Sequence, residues 1–221
     1  MKIDIITLFP NMFTGFVNES IMSRAIKKGI VEINVVNLRD YSTLKNKRVD
    51  DYPYGGGEGM VLMPDPVFRA VDDLKTDDSV VLLMTPQGIP YKQKMAYNLT
   101  NNKHIIIICG HYEGFDERIR SLADYEISIG DYVLTGGELA SMVVTDSIVR
   151  LLDGVIEKES LETESFNNKL LDYPTYTKPQ VYEGMEVPKV LLSGDHKKIA
   201  EYRKQEQIKK TKELRPDLME E

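Results

Sequence analysis

The stretch from Ile105 to Glu138, IIIICGHYEGFDERIRSLADYEISIGDYVLTGGE, constrains this chain most, because it holds two strand-to-loop units with almost no spacer. The run Ile105 to Cys109 reads as a buried strand, broken by Gly110 and followed by His111, Tyr112, Glu113 and Gly114. Tyr125 to Ile129 reads as a second strand, broken by Gly130, Asp131 and Tyr132 and closed by Gly136, Gly137 and Glu138. Glycine at a strand end permits positive φ and lets backbone approach a ligand closely. Two such loops at the carboxyl ends of neighbouring strands make a ligand crevice in an open α/β sheet.

Upstream, Lys2 to Phe9 alternates as a strand that Pro10 ends, and Val31, Ile33 and Val35 alternate with Glu32 and Asn34 as another. Between them Met12, Phe13, Phe16, Val17, Ile21, Ala25 and Ile26 recur at helical spacing up to Gly29. Leu38 to Met60 has no period and contains KNKRVDDYPYGGGEGM, a long surface loop of a kind that often carries function. Asp65 and Pro66 open a helix bearing Val67, Phe68, Val71 and Leu74. Ser79 to Met84 is a buried strand that ends in a loop of Thr85, Pro86, Gln87 and Gly88, and Met95 and Leu99 mark a short helix. After Glu138 a helix is expected to about Leu152, with Leu139, Met142, Val143, Ile148 and Leu151 on its apolar side. This alternation over residues 1–152 predicts an α/β domain with a mainly parallel sheet. Residues 153–172 are polar and weakly periodic, and are expected to be a flexible interdomain linker. Residues 173–221 are expected to form a small, mostly helical C-terminal domain, with a long helix from about Asp195 presenting Ile199, Tyr202, Ile208 and Leu214 on one side.

Charge limits the partners. Lys plus Arg is 28 against 35 Asp plus Glu, a formal net charge of −7 over 221 residues, so any RNA site must be a local basic patch. Asp195 to Arg215 supplies one, with eight Lys or Arg against four Asp or Glu, and Lys197, Lys198 and Arg203 are its candidate phosphate contacts. Cys109 is the single cysteine, so no intramolecular disulfide forms, which fits a reducing cytoplasm. The N-terminus lacks a signal-peptide core, and the runs VVLLM and IIIIC are too short to span a bilayer, so a cytoplasmic protein without membrane association is expected. No His/Cys cluster has metal-ligand spacing, so no structural zinc is expected. GxGxxG after the first strand and GxxxxGK[ST] are both missing, which argues against Rossmann dinucleotide and P-loop readings.

The strand-end loops Thr85–Gly88, Gly110–Gly114 and Ile129–Gly137 together suit an adenosyl ligand, which needs an apolar slot and backbone groups at its edge; Ile129, Tyr132 and Leu134 are candidates for the slot. CGHYEGFDERI and SIGDYVLTGGE resemble the cofactor-binding loops of the bacterial tRNA guanine-N1 methyltransferases, the TrmD family of the SPOUT class. The resemblance implies a fold that periodicity does not: an α/β knot of SPOUT type, with a deep trefoil knot in this region, against the usual rule of unthreaded connections. It implies S-adenosylmethionine held bent by the backbone of Gly110, Ile129, Gly130, Asp131, Tyr132, Val133 and Leu134, with Pro86, Gly88, Gly136 and Gly137 flanking. DDYPYGGGEGM resembles the family's segment at the target-nucleotide pocket, which implies substrate contacts at Pro53, Tyr54 and Gly55, with Glu113 nearby. Arg150 matches the arginine that stabilises the reacting guanine, and Glu113 and Asp172 match carboxylates linked to magnesium dependence. The family's linker carries Asp-Ser-Phe, whose Asp is the proposed general base; here Glu164, Ser165 and Phe166 stand in those places, with Asp172 the alternative carboxylate. GMEVPKVLLSGDHKKI and RPDLM resemble the C-terminal tRNA-binding domain. An obligate homodimer with composite sites also follows from the resemblance.

The expected activity is S-adenosylmethionine-dependent methylation of N1 of guanine-37 in tRNA, next to the anticodon. Two rivals stand beside it. One is another SPOUT RNA methyltransferase with a different target, separated by which transcript accepts methyl. The other is a non-catalytic RNA-binding module, separated by whether the chain binds S-adenosylmethionine.

Overall fold

The computed structural model describes residues 1–220, the side chains of Glu159 and Glu162 excepted; Glu221, the last residue of the expected C-terminal domain, lies outside the described residues. The chain separates into two compact units, Met1–Ile156 and the residues from Glu157 on. The first unit holds strands β1 (Lys2–Thr7), β2 (Glu32–Asn37), β3 (Asp50–Asp51), β4 (Val61–Leu62), β5 (Ser79–Pro90), β6 (His104–Cys109) and β7 (Tyr125–Ser128). Its helices are α1 (Thr14–Asn18), α2 (Ser20–Lys27), α3 (Pro64–Leu74), α4 (Gln93–Leu99) and α5 (Glu138–Val149). Five strands form one sheet in the order β2-β1-β6-β5-β7, and every pair in it is parallel. β3 and β4 make a small antiparallel ribbon apart from it.

The central strands read as unbroken apolar runs because both sheet faces are covered. Ile3, Ile5, Ile105, Ile107, Leu82 and Met84 point to one face, where they pack with Phe13, Met22, Leu99 and the α5 residues Val144 and Ile148. Ile6, Ile106, Ile108, Val81 and Leu83 point to the other, against Leu38, Val67, Ala70, Val71 and Ile119. This period of two across a parallel sheet is the expected α/β arrangement.

One polar chain crosses the amino-terminal end of the sheet. Asp4 is fully buried on β1, and its carboxylate accepts from Lys2 Nζ at 2.8 Å, Asn34 Nδ2 at 2.9 Å and faces His104 Nε2 at 2.7 Å. His104 Nδ1 in turn meets Ser79 Oγ at 2.7 Å. Burial alone would raise the Asp4 carboxyl, but the hydrogen bonds from Lys2, Asn34 and His104 outweigh it and hold the group below its ordinary value. Asp4→Asn is therefore expected to cost about 3 kcal/mol in urea unfolding at neutral pH, because its partners stay buried without their anion. A carboxyl with a lowered folded-state value stabilises above the ordinary 3.8 and loses that contribution as pH falls below it, so the gap between wild type and variant should close there.

Several boundaries differ from the sequence expectation. The predicted first helix is broken: a 3-10 turn at Pro10–Phe13, then α1, then α2, with the extended residue Glu19 and Ser20 at φ +52° between the last two. Helix α3 starts at Pro64, so Asp65 lies in its first turn and pairs with Arg69 at 3.0 Å rather than capping it. The predicted strand ending at Met84 runs on to Pro90, because Met84 and Ile89 both pair with Ile127 and the expected loop Thr85–Gly88 is an excursion between them. On α5 the predicted inward face is only partly right. Ile148 is buried, but so are Ala140, Ser141, Val144 and Thr145, whereas Leu139 is 51% and Val143 49% exposed. The helix is apolar nearly all round, so periodicity does not select a face; its small residues pack inward, where close approach to the sheet favours them.

The second unit contains α6 (Lys158–Glu162), strands β8 (Val181–Tyr182) and β9 (Met185–Glu186), α7 (His196–Leu214) and α8 (Asp217–Glu220). Asp195 caps α7 by accepting from Lys198 N at 3.2 Å. Helix α7 buries Gln207 and Thr211 while the predicted Leu214 is exposed. Thr211 Oγ1 accepts from Leu171 N at 2.9 Å and donates to Gln207 O at 2.7 Å. The residues expected as a linker thus divide: 153–156 close the first unit, and from Glu157 the chain clusters with α7.

Candidate active site

Because β6, β5 and β7 are neighbours in the sheet, the segments at their carboxyl ends meet. They enclose a cleft of about 290 Å³, near the lower end of the ~300–1,000 Å³ usual for small-molecule sites. The first segment is the excursion Thr85–Gly88, where a Cβ on Gly88 would fall 2.4 Å from Ile127 N on β7. The second is Gly110–Phe115, which turns through Tyr112 at φ +64° and Gly114 at φ +141°. The third is Ile129–Gly137, where Gly130 at φ +155° lies under the Tyr132 ring. Gly137 N donates to Gly110 O at 2.7 Å, and a Cβ on Gly137 would sit 2.9 Å from both Cys109 Cα and Gly110 N. At Gly88, Gly130 and Gly137 an added Cβ would meet the β7 backbone, the Tyr132 ring and the Cys109–Gly110 backbone, so glycine there also permits close packing within the protein.

Pro86, Gly110, Ile129, Gly130, Tyr132, Val133, Leu134, Gly136 and Gly137 line the cleft, while Gly88 and Asp131 lie in the same segments without lining it. Tyr132, Val133 and Leu134 are exposed at its lip, an apolar wall suited to a planar heterocycle. With backbone on the remaining sides, these residues fit an adenosyl group. Thr85, Gln87 and Thr135 of the expected loops also line the cleft, as do Arg120 and Ala140, which the sequence reading did not single out. Arg120 stacks 5.1 Å over the Phe115 ring, donates to Glu117 at 2.9 Å, and binds Glu126 and Gln87, so one guanidinium ties two of the segments to β7. No local pattern marks such a residue; only the adjacency of the strands does.

Glu113 joins the cleft to the glycine-rich loop. Glu113 N donates to Met60 O at 3.1 Å, Leu62 N to Gly114 O at 3.0 Å and Asp116 N to Leu62 O at 2.9 Å. Gly59, at φ +82°, lies so close that a Cβ would be 2.3 Å from Glu113 Cγ. Tyr112 donates to Asp50 Oδ1 at 3.1 Å, and burial, then the Asp50 carboxylate, push its hydroxyl above the usual 10.0. Pro53, Tyr54 and Gly55 stand in that loop, with Tyr54 fully exposed and none of the three lining the cleft. Cys109 is buried behind the cleft, and burial pushes its thiol up, which makes it inert.

Arg150 caps the carboxyl end of α5, and Glu138 at the other end approaches Gly136 of the cleft. Twelve residues of helix place those ends about 18 Å apart, and Arg150 does not line the cleft of its own chain. Glu164 and Asp172 lie in the second unit, where Ser165 Oγ accepts from Asp172 N at 2.9 Å. On α7, Lys197 is exposed, Lys198 pairs with Asp195 at 3.0 Å, and the Arg203 guanidinium lies 4.7 Å over the Tyr173 ring. Among the described residues no three His, Cys, Asp or Glu side chains gather as a metal site. Glu113 is the one expected magnesium-linked carboxylate in the first unit, and Asp172 lies in the second. Among the described residues no helix is long and apolar enough to cross a membrane.

Comparison with known proteins identifies the family. Residues 1–221 match the family model described as tRNA (Guanine-1)-methyltransferase TrmD. A protein of Macrococcus caseolyticus (strain JCSC5402) is 57% identical over 222 residues, covering 100% of this chain and 92% of its own length. A protein of Ureaplasma urealyticum serovar 10 is 56% identical over 219 residues, covering 99% of this chain and 96% of its own length. One of Bacillus cereus (strain AH820) is 57% identical over 226 residues, covering 100% and 93%. All three bear the name tRNA (guanine-N(1)-)-methyltransferase.

Proposed function

This chain belongs to the tRNA (guanine-1)-methyltransferase family, TrmD, and methylates N1 of guanine in tRNA; from that premise we propose that the guanine is number 37, beside the anticodon, and that S-adenosylmethionine is the donor, seated in the cleft between Gly110 and Gly137. The observation that supports the reading is the hydrogen bond from Glu113 N to Met60 O, which ties the cleft's second segment to the glycine-rich loop that carries the exposed Tyr54. Methyl transfer to a tRNA transcript with guanine after the anticodon, against the same transcript with adenine there, tests it. Equal incorporation into both would overturn the assignment of position 37.

S-adenosylmethionine, when bound, supplies an electrophilic methyl on a sulfonium. The chain must do the rest. N1 of neutral guanine carries a proton, and Glu164 removes it as general base. Charge then grows on O6, and the Arg150 guanidinium stabilises it. Pro53 and Tyr54 pack against the displaced base, and Lys197, Lys198 and Arg203 meet phosphates, which confines RNA attraction to one helix of an acidic chain. The knot of the SPOUT class belongs to the same proposal, with the segment Gly110–Gly137 as its crossing. A cytoplasmic location follows from the tRNA substrate.

We place the working site in a homodimer. Two features support it: the exposed Leu139 and Val143 on α5, and the distance of Arg150 from the cleft of its own chain. If the partner's copy of this arginine completes each site, chains carrying Arg150→Ala and chains carrying Gly137→Ala, each inactive alone, should recover about a quarter of wild-type activity when mixed and exchanged. No recovery in a mixture shown to hold mixed dimers would place Arg150 in its own chain's site.

A further inference from the structure

Glu138 is 98% buried by its 2% side-chain exposure, yet the proposed chemistry gives it no task. It stands at the amino-terminal end of α5, where the helix favours a negative charge. Its Oε1 accepts from the buried Thr7 hydroxyl at 2.8 Å, which ties α5 to the end of β1. Its Oε2 faces His111 Nδ1 at 3.7 Å, beyond hydrogen-bond range. That nitrogen is buried and has no hydrogen-bond partner. The His111 ring is packed 4.7 Å from the Phe9 ring and 5.1 Å from the Tyr112 ring, which restrict its movement. Gly136 completes the arrangement. His111 and Gly136 form a backbone bridge, and a Cβ on Gly136 would lie 2.3 Å from Glu138 Oε2 and 2.4 Å from His111 Nδ1. Glycine there is the residue that leaves the two side chains facing each other.

We propose that Glu138 is a positioning residue of the cofactor cleft, acting through His111 as a clasp that locks the Gly110–Gly114 loop onto the Ile129–Gly137 loop. A buried nitrogen without a partner, facing a buried carboxylate oxygen less than 1 Å beyond bonding range, favours any small movement that joins the two. Contacts around an active site commonly tighten when the reactants are in place. Closing this pair draws the two loops together around the cleft and carries Glu113, two residues along, with them. The clasp rests on the cofactor reading given above.

S-adenosylmethionine titrated calorimetrically into full-length wild type, Glu138→Gln, His111→Ala, His111→Arg and the double variant Glu138→Gln/His111→Ala tests it. Glutamine keeps the acceptor for Thr7, so the melting temperature of Glu138→Gln should stay near wild type while its affinity falls roughly 10-fold. His111→Ala should fall about as far, and the double variant no further than the weaker single variant. His111→Arg, which still reaches the carboxylate, should keep affinity within about 3-fold. Independent, additive losses in the double variant would overturn the clasp, as would losses that follow melting temperature alone. A wild-type chain with no affinity for S-adenosylmethionine overturns the cofactor reading and the clasp together; wild-type binding with every variant unchanged overturns the clasp by itself.

Discussion

Glu164→Gln is expected to lower single-turnover methyl transfer by roughly 100- to 10,000-fold, the usual contribution of a positioned general base, with little change in affinity for S-adenosylmethionine or tRNA. The amide keeps the size of the side chain and removes its ability to take the N1 proton. Glu164 stands where an aspartate is expected, and its extra methylene moves the carboxylate by about one bond length, enough to matter when errors near 1 Å cost about 100-fold. Phe166, two residues on, adopts φ +74°, and its N–H donates to Leu170 O at 2.9 Å, so the segment is a tight turn rather than an extended strap. Glu164→Asp should stay within a few-fold of wild type or exceed it. Ser165 Oγ accepts from Asp172 N, which holds the second carboxylate at the base of the same turn. Near-wild-type single turnover in Glu164→Gln would move the base elsewhere, and Asp172→Asn would then be the variant expected to fail.

Gly137→Ala should weaken S-adenosylmethionine binding by about 100-fold or more, although alanine suits its backbone angles, φ −79° and ψ −4°. The obstacle is space. The added methyl would lie 2.9 Å from Cys109 Cα and from Gly110 N, and backbone does not rotate away as a side chain does. The Gly137 N to Gly110 O hydrogen bond must then lengthen, and the two loops separate where the cleft needs them together. Gly15→Ala is the control: nothing lies within 4 Å of its Cβ position, so it should be neutral or stabilise by a few tenths of a kcal/mol. Calorimetric titration of both variants checks the contrast, and equal affinities would mean that contact between these loops does not shape the cleft.

Local chemistry was enough for some features. The unbroken apolar runs of β6 and of Val80 to Met84 in β5 place those strands in a sheet covered on both faces, because only such a sheet buries every side chain of a strand. The basic composition of α7 and its start near Asp195 were legible too, because a helix is made by residues within a turn of one another. The loops that line the cleft were legible as glycine breaks at strand ends, and family resemblance named their task. Their reason for being glycine was not legible, since Gly88 answers to Ile127 of β7, Gly136 to His111 and Glu138, and Gly137 to Cys109 and Gly110. Nor were the roles of Arg120, Thr7 and Glu138: Arg120 reaches Gln87 33 positions away, and Thr7 and Glu138 meet across 131, which happens only when the sheet orders its strands as β2-β1-β6-β5-β7. The buried face of α5 was decided the same way, by which side could approach the sheet most closely, because its large apolar residues do not gather on one side and so carry no internal instruction about which side faces in.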